Sequence, residues 1–475
     1  MLMKIVIFGT GDYYQKNISR FESESVVALL DNNPEKEDTY LNGKKVYSPL
    51  RVAEIDYDYI VIMSLYANSM RNQLLELGVP DKKIILFSEL QDHPELQLKD
   101  QCAVVSGSSY SFNNYIDSIN KKDYILMMSG NMDLNGASIA FVNMALILKK
   151  NGFDVLMVSA GDGKLADVLR GNGITVIIDP NILYKTCVEL QWTSEFETII
   201  CNTLLFYKFL SDVKPEIQVL WWLHDPDILY TSLNKEVLAK VRSDGISVYA
   251  VGPIAEKAIK SCHPEYEVKT LLYGISAMHI DRKKKTKKLE MAVIANVQEY
   301  KGQDIIVDAI RDLNENELNA LHIRIIGNQN SYYACDLKKK VCAIDVVEFV
   351  PEMDRNGIES VYSELDVLLC PSRVDCMPVS VAEAMQNCIP AIVSDTVGTA
   401  EYITDYENGL IFKSGSSEEL ADRIRWCINN KEKLSEIGRK AREVYDNYFS
   451  LDMFEKNMLD AIRDSFSKRD RIVGS

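Results

Sequence analysis

Pro371 to Asp395 read PSRVDCMPVSVAEAMQNCIPAIVSD. The apolar run Val367 to Leu369 precedes this stretch, and a second, Ala391 to Val393, closes it. Between them a polar loop enters a short helix through Pro378 and Ser380. That helix must stop near Cys388, because Pro390 disfavours a helical residue before it. Strand, loop, helix, strand is the repeating unit of a parallel α/β sheet. It puts Asp375 at the carboxyl end of one strand and Glu383 in the helix that follows. In open α/β sheets that edge is where ligands bind.

Spacing alone leaves the two carboxylates open to ordinary readings. Ser380-Val381-Ala382-Glu383 fits a capping box, in which Glu383 bonds back to the first amide of the helix. Asp375 fits a turn. The block as a whole, however, resembles the acidic-x7-acidic signature of glycosyltransferase family 4, the retaining GT-B enzymes that use nucleotide sugars. Asp375, Pro378, the segment Glu383-Ala384-Met385, Pro390 and Gly398 to Glu401 carry the likeness in order. The family usually has Glu, Gly, an aromatic and Pro or Gly where this chain has Asp375, Cys376, Met377 and Pro378.

The totals fit an enzyme of that size. At about 100–200 residues per domain, 475 residues suggest three domains. The chain is 47% hydrophobic and 26% charged, an ordinary globular composition. A net charge of −16 disfavours nucleic acid as a partner. Ten scattered cysteines without a C-x-x-C pair or a His/Cys cluster argue against structural zinc and a disulfide framework, and for a reducing cytoplasm. No apolar run approaches the ~18 residues of a spanning helix. The start, MLMKIVIFGTG, reads as a first strand entering a glycine turn, not as a signal peptide.

Residues 1–100 read as a small Rossmann-like unit. Lys4 to Phe8 is a strand, Gly9-Thr10-Gly11 a turn, and Val26 to Leu30 a strand ending in Asp31. The spacing suits an acid on a ribose, but Tyr14 stands where the third glycine of the fingerprint belongs, so a strand-end Asp is an equal reading. The segment resembles the nucleotide-sugar-binding domain of bacterial sugar O-acyltransferases, without their hexapeptide repeats. Ser106 to Asn120 reads as a linker. The domain 121–280 opens with strand Tyr124 to Met128, a loop ending in Gly136, and a helical pattern to Lys150. Such a loop can present amides to a phosphate, or its glycine can simply allow close packing. The run Val219 to Leu223 ends in His224, by itself an ordinary strand-end histidine. The basic run Arg282 to Lys288 reads as a second linker, and it would also suit an anionic lipid surface. A second large domain, 289–450, contains the loop from Asn296 to Asp304. Residues 451–475 read as an amphipathic helix crossing back to the earlier domain.

The resemblance spans roughly residues 122–460 and implies a GT-B architecture: two facing Rossmann-like domains, preceded here by the small α/β domain. It implies that Glu383 takes ribose hydroxyls, and that Asp375 with the backbone at Met377 and Pro378 takes the donor sugar. Lys301 and Gly302 match the family's Arg-x4-Lys-Gly loop, with Asn296 in place of Arg; the lysine offsets the donor diphosphate. Gly136 and Gly398 would add amides, and His224 would lie beside the reacting sugar. The implied activity is retaining transfer from a UDP- or GDP-sugar to a glycan, lipid-linked or protein-linked acceptor in bacterial polysaccharide synthesis. It uses no cofactor and no metal. It would take place in the cytoplasm or at the inner face of the cell membrane, in a chain free to form homo- or hetero-oligomers. Two rivals share the architecture: an inactive subunit that stabilises a partner transferase, and a nucleotide-sugar 2-epimerase.

Overall fold

Consecutive apolar residues, rather than alternating ones, mark strands covered on both faces. The chain folds accordingly into α/β structure with parallel sheets. The computed structural model describes residues 3–472, apart from 65–66, 97, 100–101, 232, 279, 283–286, 330 and 343–344. Most of the expected second linker thus lies outside the described residues. Two units result: Met1–Leu134, Leu148–Val219 and Asp227–Ile246 form one; Asn135–Ile147, Leu220–Pro226 and Ser247–Ser475 form the other.

In the first unit, β1 (Ile5–Phe8), β2 (Val26–Leu30), β3 (Tyr40–Leu41), β4 (Lys44–Tyr47), β5 (Tyr59–Ile62) and β6 (Ile84–Leu86) form a six-stranded sheet, ordered β3-β4-β2-β1-β5-β6. Tyr14, Phe21 and Phe87 cover one face, and Phe8, Met70 and Leu74 belong to the other. The β3–β4 hairpin goes beyond the sequence expectation. Its Asn42-Gly43 turn has φ of 51° and 74°, the pair that Asn-Gly supports in a two-residue hairpin. The strands around it, of two and four residues, are too short to show a period. Asp31 accepts from Thr10 N at 3.1 Å, Asn33 N at 2.8 Å and Lys36 Nζ at 3.0 Å. Asp31 thus ties the glycine turn to the segment after β2. Tyr14 is fully buried, its hydroxyl held by Asn42 at 3.1 Å.

This small domain docks within its unit. Buried Arg20 lies 4.5 Å from the Tyr184 ring centroid and donates to Pro180 O. Phe87 meets Tyr184 edge-on at 5.5 Å. Asn68 donates to Thr231 O at 2.8 Å. The unit continues with β7 (Val104–Val105), β8 (Tyr124–Ser129), β9 (Asp154–Ser159), β10 (Thr175–Ile178) and β11 (Thr198–Asn202). The last four pair in parallel as β11-β8-β9-β10, and β7 lies antiparallel on β10. The expected linker from Ser106 to Asn120 is corrected here. It holds the helix Phe112–Ser118, and Ser111 caps that helix by accepting from Asn114 N at 3.3 Å. Polar composition concealed it, because a short surface helix buries little.

The second unit takes in most of β12 (Gln218–Leu223), then β13 (Ile246–Ala250) with parallel β14 (Val268–Thr270). Next come β15 (Leu289–Ile294), β16 (Leu321–Ile326), β17 (Val347–Val350), β18 (Val367–Cys370), β19 (Ala391–Ser394) and β20 (Leu410–Phe412). They form an all-parallel sheet ordered β17-β16-β15-β18-β19-β20. Strand order reverses between β15 and β18. Such a switch point, at the carboxyl edge, is where open α/β sheets bind ligands. The last helix, Leu451–Ile472, packs within this unit: Phe454 stacks on Trp222 at 5.5 Å, and Tyr249 donates to Ala461 O at 3.4 Å. No described helix is long and apolar enough to cross a membrane.

Candidate active site

The two loops leaving β15 and β18 at this edge are pressed unusually close. Gly302 has φ of 67°, and a Cβ on it would lie 2.1 Å from Pro371 O. Only glycine fits both the left-handed backbone and that approach. The preceding residue, Lys301, ends a short 3-10 turn, and its Nζ meets Asp375 Oδ2 at 2.5 Å. Both side chains are mostly covered, at 19% and 15% exposed. Burial works against the ammonium, but Asp375 and then Tyr300 outweigh it and hold the lysine pKa above its ordinary value. Arg373 fixes the same approach: it donates to Glu299 O at 2.8 Å and makes a two-pronged contact with Asp304 at 2.8 and 2.7 Å.

Glu383 sits in the helix Val379–Gln386, which begins after Pro378 with no side-chain cap. The capping-box alternative is thus not realised. The carboxylate instead accepts from Arg355 Nη1 at 2.6 Å and from the Tyr362 hydroxyl at 3.0 Å. Burial raises its pKa, with Arg355 and Tyr362 pulling the other way. Each member of the acid pair therefore has its own cation.

The turn between the acids is the contact point for several other predicted residues. Gly398 N donates to Asp375 O at 2.9 Å, and a Cβ at Gly398 would fall 1.8 Å from Cys376 O. Met377 Cε would lie 2.5 Å from a Cβ on Gly252, and Val379 Cγ2 2.9 Å from one on Gly136. Gly136 thus sits tightly against the branched Val379, whereas a methyl group at Gly252 would displace only the flexible end of Met377. Asn296 is exposed; its Oδ1 accepts from Asn328 N at 3.4 Å and its carbonyl from Gln303 at 2.9 Å.

His224 ends β12, with its ring edge-on to Trp222 at 4.3 Å. Its Nε2 is buried without a hydrogen-bond partner. Burial lowers its pKa to about 3, so the imidazole is neutral in the folded chain at ordinary pH. The unfolded chain binds this proton near pH 6.5. A folded value below the unfolded one gives stability that is present above about 6.5 and lost as pH falls toward 3. His224→Gln is therefore expected to lose less stability in acid, by up to about 1.4 kcal/mol per pH unit below 6.5. Urea titrations of both proteins at pH 7 and pH 5 measure this; equal losses would place the ring in contact with water.

The sequence reading missed Arg355, Tyr362 and Arg373. Arginine and tyrosine in helices and loops are unremarkable until strand order brings them to an acid. Only Arg373, two residues from Asp375, carried a positional hint. Among the described residues, no group of three or more His, Cys, Asp or Glu is placed to hold a metal ion.

The fold is of the GT-B type. Residues 276–444 match the family Glycosyl transferases group 1, residues 121–249 Glycosyl-transferase family 4, and residues 1–85 C2185-like, N-terminal. An uncharacterized glycosyltransferase of Haemophilus influenzae is 23% identical over 334 residues, 66% of this chain and 92% of its own. Anabaena Alr3699/HepE in complex with UDP superposes with a TM-score of 0.60 at 17% identity, over 72% of this chain and 100% of that one. Its complex with UDP-glucose gives 0.61 at 16% identity, over 72% and 99%.

Proposed function

We propose that this chain is a retaining glycosyltransferase that moves a sugar from a nucleotide-sugar donor to a glycan, lipid-linked or protein-linked acceptor. The observation that carries this is the pairing of Lys301 with Asp375 at the topological switch point of the sheet. A mostly covered ammonium and carboxylate at a ligand edge form a site that a charged, hydroxylated ligand can exchange into. The arriving diphosphate draws the lysine, and the released carboxylate accepts a sugar hydroxyl. The neighbouring acid, Glu383, accepts from the ribose hydroxyls. Neutral His224 offers a hydrogen bond to the sugar without adding charge. The acceptor hydroxyl attacks the anomeric carbon on the face the leaving group departs from. The carbon–oxygen bond to the diphosphate breaks, the new glycosidic bond forms, and the acceptor's proton passes to a phosphate oxygen. Lys301 offsets the charge growing on the leaving diphosphate. HepE, whose structures hold UDP and UDP-glucose, supports a uridine-linked donor.

Calorimetry against UDP-, GDP- and dTDP-sugars is expected to find one donor with micromolar affinity, about −8 kcal/mol. NMR of the product is expected to show the donor's anomeric configuration retained. Inversion would exclude this mechanism, and binding without turnover would favour the inactive-subunit alternative.

A further inference from the structure

Tyr273 is a phenol the reading above leaves unused. It is 2% exposed, and its hydroxyl is buried without a hydrogen-bond partner. An unmet buried hydroxyl is costly, and natural structures rarely keep one without a reason. Its backbone neighbours, by contrast, are all secured. Trp222 Nε1 donates to Leu271 O at 2.8 Å, and Asn143 to Gly274 O at 3.1 Å. Ile275 N donates to Phe449 O at 3.1 Å, and the Tyr445 hydroxyl to Ile275 O at 3.1 Å. A Cβ at Gly274 would meet Phe454 Cβ at 2.5 Å, so the segment has no slack. Tyr273 is thus held rigidly with one polar atom left over. That atom lies within the electrostatic reach of Asp375 and Glu383; burial first, then those charges, push the phenol well above the ordinary tyrosine range. It keeps its proton and is available as a donor. Tyr362, against the same Glu383, shows what a satisfied phenol looks like here.

The missing partner can be narrowed by chemistry. A phosphate accepts hydrogen bonds but is repelled by two carboxylates. A sugar hydroxyl can both accept from the phenol and donate to Asp375, so its chemistry suits the two groups. Resting on the proposed donor site, we infer that Tyr273 is a specificity-determining residue that donates to a hydroxyl of the transferred sugar, completing a phenol–hydroxyl–carboxylate chain with Asp375.

The test uses Tyr273→Phe in the full chain. UDP-glucose, UDP-N-acetylglucosamine, GDP-mannose and dTDP-glucose are first titrated into wild type, and the tightest is compared with its free nucleoside diphosphate on both proteins. The Kd for the nucleotide sugar is expected to rise about tenfold, the worth of one hydrogen bond. The Kd for the diphosphate alone is expected to stay put. The ligand-free melting temperature is expected to hold or rise, because an unmet hydroxyl has been removed. Equal weakening of both ligands, no weakening of either, or a lower melting temperature would each overturn the assignment. Wild type that binds none of the four would instead sink the donor site itself, and this inference with it.

Discussion

Lys301→Ala is expected to lower transfer by about a thousandfold, the scale of losing one electrostatic contact to a developing charge. It is also expected to destabilise the fold by about 3 kcal/mol, because Asp375 is left mostly covered beside Gly398 with no cation. The two effects have different remedies. Adding Asp375→Asn to Lys301→Ala removes the stranded charge, so most of the stability should return. Activity should not, since neither the ammonium nor the carboxylate is restored. Urea midpoints and initial rates for the two single variants and the double variant separate these outcomes. A double variant no more stable than Lys301→Ala would mean that the loss does not come from a stranded carboxylate. Transfer above a tenth of wild type in Lys301→Ala would remove the lysine from the leaving-group role.

Glu383→Gln is expected to cut transfer by about a hundredfold, since a carboxylate that accepts with both oxygens becomes an amide that accepts with one. Its signature in stability is a pH slope. Burial raises the folded pKa of Glu383 above its ordinary 4.5, against the pull of Arg355 and Tyr362. A carboxyl that holds its proton more tightly when folded gives stability that is fully present below its unfolded pKa and lost as pH rises through the folded one. Wild type should therefore lose ground to Glu383→Gln between pH 4.5 and neutrality. Paired denaturant titrations across that range are the measurement. A wild type that gains on the variant as pH rises would show that Arg355 outweighs burial at this carboxylate.

How much of this was legible in the sequence differs from element to element. Pro390 and the flanking apolar runs located β18, the helix Val379–Gln386 and β19 within a residue or two. Val26 to Leu30 and the helix ending at Lys150 were equally clear. The β3–β4 hairpin and the helix Phe112–Ser118 were not, because elements of a few polar residues leave no period to read. At the site, Glu383 looked like a helix cap in the local pattern. Its partner Arg355 lies 28 residues away, and Lys301 lies 74 residues from Asp375.

The amino-acid sequence by itself determined the alternation of buried strands and helices, and which loops stand at the ligand edge. Those follow from hydrophobic period, proline and glycine, all of which act over a few residues. Only the tertiary structure decided which cation meets which acid, and which phenol is left without a partner. Those depend on β15 lying beside β18, and strand order is settled by pairing between distant segments rather than by any local preference of the chain.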